Sequence, residues 1–242
     1  MAANSSILVV EDETDLADLI CFNLQREGYE PRRAAAGDAA LQEVKRNPPD
    51  LILLDRMLPK LSGEEVATQV RRDPSTAMIP IIMLTAKVEE ADQLVGFALG
   101  ADDYVTKPFS MKVLMARIGT LLRRGRNRPG DVAVLREGPF MLDRDRHELS
   151  IGDRPLVVTL TEFRLLAALM SARGRVLDRG NLIDKVLGQG AVVLDRTIDV
   201  HITSLRRKLT AADPSGGAAA WIQTVRGVGY TFRPPSDEPG RS

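Results

Sequence analysis

Short apolar runs alternate with amphipathic stretches through the first half of the chain. Residues 7–10 (Ile-Leu-Val-Val), 51–54 (Leu-Ile-Leu-Leu) and 79–84 (Ile-Pro-Ile-Ile-Met-Leu) are continuous apolar segments bounded by polar residues. That is the pattern of strands buried on both faces of a parallel sheet. Between them, residues 15–27, 38–47 and 63–72 carry apolar side chains at helical spacing, so the segments repeat as βα units. Residues 30–34 and 103–106 supply two further strands, and residues 111–122, with Leu114, Ile118 and Leu121 in register, a closing helix. The expected architecture is a doubly wound five-stranded parallel sheet, an α/β domain over residues 1–123.

The pattern then changes. Residues 123–131, RRGRNRPGD, have no apolar period and read as a linker, taken to span 124–137. Residues 140–142, 147–151 and 156–158 are short strand candidates separated by Asp, Gly and Pro, the pattern of a small antiparallel sheet. A helix opens at Thr161-Glu162, with Phe163, Leu165, Leu166, Leu169 and Met170 as core candidates. Helices over 179–187 and 195–209 follow, and residues 222–225 and 230–233 flank Arg226-Gly227-Val228-Gly229 as a hairpin. Three helices followed by a hairpin describe an α+β winged helix over 138–234, with a disordered tail over 235–242.

The formal charge is zero, but it is unevenly placed. Residues 1–116 hold 12 basic and 19 acidic residues, 117–136 a net +5 and 137–242 a net +2, so a polyanion would meet the second half. The single cysteine, Cys21, shares a helical face with Ala17, Ile20 and Leu24 and reads as a buried structural thiol. The start of the chain lacks a cationic and apolar leader, and no run approaches the ~20 apolar residues of a membrane span. A cytoplasmic protein without membrane association is expected.

Chemistry-bearing residues gather at the carboxyl ends of the strands: Glu11 and Asp12, Asp55, Thr85 and Lys107. Ligand sites of open α/β sheets lie there. Carboxylates suit a hard divalent cation, with Mg2+ as the default. Asp55 would then be the phosphoacceptor, Lys107 would hold a phosphoryl oxygen, and the Thr85 hydroxyl would donate a hydrogen bond. Taken singly, Asp12 and Asp55 are ordinary caps or turn residues and Lys107 a solvated lysine; their coincidence at strand ends argues otherwise.

The segments ILVVEDE, DLILLDRMLP, MLTAK and GADDYVTKPF resemble the receiver domain of two-component response regulators across residues 7–123. The resemblance implies metal binding by Glu11, Asp12, Asp55 and the Met57 carbonyl, phosphorylation of Asp55 by a sensor histidine kinase, and phosphoryl contacts from Thr85 and Lys107. It also implies a cis bond before Pro108 and a switch in which Tyr104 turns inward as Thr85 moves. A free-standing phosphatase with an aspartyl-phosphate is the rival from another class. Such hydrolases resemble an Asp-x-Asp motif, whereas Asp55-Arg56-Met57 places methionine at the acid/base position. A third reading, a receiver that only mediates association, requires loss of acidic, Thr or Lys positions that are all filled.

LTEFRLLAALM, DRTIDVHITSLRRKL and IQTVRGVGYTF resemble the OmpR/PhoB class of winged-helix transcription factors. In residues 195–209, Ile198, Ile202, Leu205 and Leu209 face the core, leaving Arg196, His201, Thr203, Ser204, Arg207 and Lys208 outward as on a major-groove helix. By resemblance, Arg196, Thr197 and Arg207 contact phosphates, His201, Thr203 and Ser204 face promoter DNA, Arg226 enters the minor groove and Thr224 is a further contact. Thr203-Ser204 stand where PhoB-like chains have arginines, and Leu187-Gly188-Gln189-Gly190 lacks the tryptophan through which their loop meets RNA polymerase. A phosphorylation-dependent transcriptional regulator, not an enzyme, is the function implied.

The same likeness implies a homodimer formed by the helix before the fifth strand, that strand and the helix after it. Asp103 with Arg117 and Asp102 with Arg124 stand at charge-pair positions of that face, while Val95 with Val113 and Ala98 with Gly119 replace two further pairs. Loss of both members avoids an unmatched charge, so a more apolar dimer is expected.

Overall fold

The computed structural model describes residues 5–86, 100–122, 132–187, 197–215 and 217–235. They form two compact units, the first made of residues 1–124, 159–161 and 191–197 and the second of residues 125–158, 162–190 and 198–242.

The first unit is built on β1 (Ser6–Val10), β2 (Glu30–Ala34), β3 (Leu51–Asp55), β4 (Ile81–Thr85) and β5 (Asp103–Thr106). The strands pair in parallel in the order β2-β1-β3-β4-β5. Helices α1 (Thr14–Arg26), α2 (Gly37–Arg46), α3 (Gly63–Arg72) and α4 (Met111–Leu122) connect or flank them. The central strands β3 and β4 are buried along their whole length, as their unbroken apolar runs require. One core face gathers Ile7, Val9, Leu53, Leu84 and Val105 with Ile20 and Leu24 of α1 and Leu114, Ile118 and Leu121 of α4. Cys21 is half-buried rather than buried, packed against the edge of this cluster, and burial pushes its thiol pKa up. Ser62 caps α3 by a capping box with Glu65, fixing the turn that follows Asp55.

The second unit opens on an antiparallel sheet of β6 (Val134–Glu137), β7 (Phe140–Asp143), β8 (Glu148–Ile151) and β9 (Arg154–Pro155). It continues with α5 (Leu160–Ser171), β10 (Leu177–Asp178), α6 (Arg179–Val186), α7 (Thr197–Ala212) and the single turn α8 (Gly217–Ala220). The hairpin β11 (Ile222–Val225) and β12 (Gly229–Phe232) closes it, with β10 added to β12. Phe140, Phe232 and Trp221 pack edge-on and tilted at ring separations of 5.0–5.6 Å, joining the sheet to the hairpin.

Three sequence expectations change here. The stretch read as linker ends in a strand, β6, whose Val134 and Leu135 pair with β7. The strand expected over 156–158 is absent: the turn at Gly152 pairs Ile151 with Arg154, so β9 begins and ends before Leu156. The two-residue β10 was not anticipated. The beginning of the helix expected from residue 195, the linker core and most of the tail lie outside the described residues.

Candidate phosphoacceptor site and DNA interface

The parallel register of the first unit brings four strand ends to one edge. Asp55 is the last residue of β3, Thr85 of β4, and Lys107 follows β5, its amide donating to the Thr85 carbonyl at 2.7 Å. Glu11 follows β1 and is anchored by its amide to the Ala34 carbonyl at 3.1 Å. Carboxylate oxygens of Glu11, Asp12 and Asp55 all lie within 4.8 Å of one another. Glu11 and Asp55 are buried and Asp12 is exposed.

Lys107 bridges the acidic pair. Its Nζ donates to Glu11 Oε1 and Oε2 at 3.0 and 2.8 Å and to Asp55 Oδ2 at 2.5 Å. The Met57 amide donates to Asp55 Oδ1 at 2.8 Å, fixing the carboxylate plane. Burial raises the Glu11 carboxyl to about 7; Lys107 opposes the rise and neighbouring Asp55 adds to it. Burial alone would lower the Lys107 ammonium, but hydrogen bonds to Asp55 and Glu11 outweigh it and hold its pKa above the ordinary value. Three crowded carboxylates served by one ammonium form a donor set of hard oxygens short of positive charge, which a divalent cation fits.

Gly63 makes this geometry possible. A Cβ built there would stand 2.2 Å from the Asp55 carbonyl oxygen, so the first turn of α3 touches the acceptor strand through bare backbone. The Thr85 side chain is buried, as is the ring of Tyr104, so the aromatic expected to turn inward is already inside. Burial, with the nearby Glu64 carboxylate, pushes the Tyr104 phenol pKa up. The Lys107-Pro108 bond is cis.

The expected dimer residues divide. Arg117 grips both oxygens of Asp103 at 2.6 and 2.7 Å within the chain. Asp102 is fully buried, and its carboxylate is held by Arg71 at 2.6 Å and by the Ile81 amide at 2.9 Å, an assignment that the pattern Asp102 with Arg124 did not anticipate. Val113 is exposed. Val95, Ala98 and Arg124 lie outside the described residues.

In the second unit, α7 buries Ile198, Ile202, Leu205 and Leu209. Thr203 and Arg207 are exposed, as are Thr224 and, at the hairpin turn, Arg226. Thr197 and His201 are buried, with His201 only 2% exposed. His201 was expected outward, and helical spacing alone did not separate it from the core stripe; Thr197 was expected, by resemblance, to contact phosphate. Ser204 donates to Glu162 of α5 at 2.8 Å and Lys208 to the same carboxylate at 2.6 Å, so neither is a free outward group. Arg196 lies outside the described residues.

Sequence reasoning passed over a second anchoring group. Asp199 accepts from the Tyr230 hydroxyl at 2.6 Å and from Arg179 at 2.9 and 3.3 Å, tying α7 to α6 and to the hairpin. Arg206 donates to the Ile222 carbonyl at 2.6 Å and the Thr224 hydroxyl at 3.0 Å. The Arg179 and Arg206 guanidiniums lie 5.3 and 5.9 Å from the Tyr230 ring centroid. Burial and the Asp199 carboxylate push the Tyr230 phenol up to about 12. The RGVGY run announced a hairpin, but nothing local revealed a partner for Tyr230 thirty-one residues away. Gly229 seats this hairpin: a Cβ there would meet the Leu177 carbonyl oxygen at 2.0 Å. Gly229→Ala is therefore expected to detach β10 from β12 and lower the thermal midpoint of the second unit, as followed by tryptophan fluorescence of Trp221.

Two family models match. The response regulator receiver domain covers residues 7–119, and the C-terminal domain of transcriptional regulatory proteins covers residues 153–232. The chain is 45% identical over 229 residues to the sensory transduction protein RegX3 of Mycolicibacterium smegmatis, spanning 93% of this chain and 98% of that one. It is 43% identical over 226 residues to the phosphate regulon transcriptional regulatory protein PhoB of Escherichia coli K12, spanning 93% and 96%. Among solved structures, a variant of RitR aligns with a TM-score of 0.76 at 30% identity, covering 96% of this chain and all of that one. The strand-end acidic cluster, the parallel sheet, the winged helix and these relatives agree: the chain belongs to the OmpR/PhoB family of response regulators and is a phosphorylation-dependent transcriptional regulator.

Proposed function

We propose that Asp55 accepts a phosphoryl group from the phosphohistidine of a sensor histidine kinase, and that the modified chain binds promoter DNA as a homodimer in the cytoplasm and acts on RNA polymerase. The bridging of Glu11 and Asp55 by Lys107 carries the reading of the first unit. An Asp55 carboxylate oxygen attacks phosphorus, an O–P bond forms, and the P–N bond of the donor breaks with its electron pair returning to the imidazole. Glu11, Asp12, Asp55 and the Met57 carbonyl would hold Mg2+, whose charge offsets that of the phosphoryl oxygens. Lys107 follows a phosphoryl oxygen, and the Thr85 hydroxyl donates to another. Tyr104, whose ring is buried, would be the aromatic whose position follows that of Thr85. Asp-phosphate formation and DNA binding, rather than turnover of a small phosphoester, are the expected activities; steady release of phosphate from such an ester would favour the phosphatase reading.

For DNA, Arg207 and Arg226 are both exposed and serve as phosphate and minor-groove contacts, with the exposed Thr203 and Thr224 as further contacts and Arg196 as a phosphate contact by family likeness. Arg207→Ala is expected to weaken binding almost uniformly across sequences and to shrink the slope of log affinity against log salt by about 1. Arg226→Ala is expected to weaken binding and relax a preference for narrow, A·T-rich minor groove. An unchanged slope for Arg207→Ala removes it from the phosphate contacts.

The dimer reading rests on the exposure of Val113 and Ala116 on α4 and on the internal pairing of Asp103 with Arg117, which takes that charge pair out of the face they share. Sedimentation of the beryllofluoride-treated chain is expected to show a dimer little affected by salt. Val113→Glu is expected to disperse it, because the new carboxylate would be desolvated without a partner. A Val113→Glu chain that dimerises as well as the parent contradicts this interface.

A further inference from the structure

The outward stripe of α7 is unusually poor in free polar groups. The exposed Thr203, Arg207 and Thr210 and the half-buried Val200 share one face at spacings of three and four residues, opposite the buried Ile198, Ile202, Leu205 and Leu209. The Thr203 hydroxyl donates to the Asp199 carbonyl one turn back at 2.8 Å, which leaves its methyl group as the outward part of the side chain. Thr210 does the same, donating to the Arg206 carbonyl at 3.0 Å. The neighbouring polar side chains are occupied within the unit: Ser204 and Lys208 by Glu162, Arg206 by the Ile222 carbonyl and Thr224. Glu162 is 2% exposed, so releasing either partner would leave a buried carboxylate short of a hydrogen bond.

Base edges in the major groove are read by hydrogen bonds or by apolar contact with the thymine methyl. Donors aimed at guanine are missing from the middle of this stripe among the described residues, and Arg207 lies a full turn beyond Thr203. The two groups that a base edge would meet there are the Thr203 methyl and the Val200 isopropyl. We infer that this chain reads thymine methyl groups through Thr203 and Val200, an inference that rests on the reading of α7 as the helix that enters the groove. The Glu162 pairing with Ser204 and Lys208 is what enforces it, because it withholds the side chains that would otherwise offer hydrogen bonds to bases.

The test uses the full chain treated with beryllofluoride. Duplexes selected from a random pool are rebuilt with deoxyuridine replacing each thymine in turn, removing one methyl group and no hydrogen-bonding atom. Affinity is expected to fall about fourfold at each thymine facing Thr203 or Val200, the effect of about one buried methyl-sized group. The slope against salt should not move, since no phosphate contact changes. Thr203→Ser keeps the hydroxyl but lacks the methyl, and it should erase the uracil penalty at one position while leaving it elsewhere; Thr203→Val should retain it. Indifference of every position to uracil, or an unaltered penalty in Thr203→Ser, overturns the inference while leaving DNA binding intact. Failure of the pool to yield any preferred sequence overturns instead the reading of α7 as a recognition helix, and the inference with it.

Discussion

Asp55→Asn is expected to abolish labelling by acetyl phosphate, reducing it from near one phosphoryl group per chain to background. Three carboxylates share the edge of the sheet, but they are not equivalent. Glu11 has 1% of its side chain exposed, is held through both oxygens by Lys107, and carries a carboxyl raised to about 7, so at neutral pH it is partly protonated. Asp12 is exposed, and no hydrogen bond to Lys107 reaches it among the described residues. Asp55 alone combines the strand end, an oxygen on Lys107 and a second oxygen fixed by the Met57 amide. The amide of asparagine is close in shape and far weaker as a nucleophile. A chelator should stop labelling of the parent chain as completely as the substitution does. Normal labelling of Asp55→Asn would overturn the assignment.

The crowding has a pH signature as well. The native Glu11 carboxyl is raised to about 7 from an ordinary 4.5, so the folded chain holds a proton that the unfolded chain has released. Its contribution to stability therefore falls as pH rises through that window. Urea midpoints of the metal-free chain should decline over the same range, and the decline should shrink in Asp55→Asn, which removes one cause of the shift.

Arg71→Met is expected to destabilise the first unit by about 3–5 kcal/mol, the usual effect of removing one partner of a buried ion pair. The Arg71 side chain is 9% exposed and donates to the Gly100 carbonyl at 2.8 Å, the Ala77 and Ile79 carbonyls at 2.8 and 2.7 Å, and Asp102 at 2.6 Å. Asp102 has no exposed surface, so its charge would be stranded. Urea unfolding followed by far-ultraviolet circular dichroism should show an earlier first transition. The double change Arg71→Met with Asp102→Asn should recover part of the loss, since the neutral amide still accepts from the Ile81 amide. A single-variant loss below about 1 kcal/mol would show that Asp102 is not stranded without Arg71.

The division between what the sequence announced and what it concealed follows the range of the interactions. Strands β1, β3 and β4 declared themselves because burial on both faces forces continuous apolar runs, and the residue after each such run falls at the sheet edge by geometry alone. Glu11, Asp55 and Thr85 were therefore found together, and the weaker strand over 103–106 added Lys107. The RGVGY hairpin followed from local turn chemistry. The pairings of Asp102 with Arg71, Ser204 and Lys208 with Glu162, and Tyr230 with Asp199 join residues 31 to 46 positions apart, and no local period encodes them. Glu162 in particular reads as an ordinary acid in a first helical turn, favoured by the helix dipole, until its two partners on α7 are seen. The register of β9 was likewise hidden, because the turn at Gly152 and not apolarity decides where pairing starts.

The most direct measurement is the affinity of the full chain for a duplex selected from a random pool, with and without beryllofluoride, beside the same titration of Asp55→Asn. Beryllofluoride should tighten binding of the parent at least tenfold, equivalent to about 1.4 kcal/mol of coupling between the two events, and leave Asp55→Asn unchanged. Equal affinity of the parent in both conditions, or the same tightening in Asp55→Asn, would contradict control of DNA binding through Asp55.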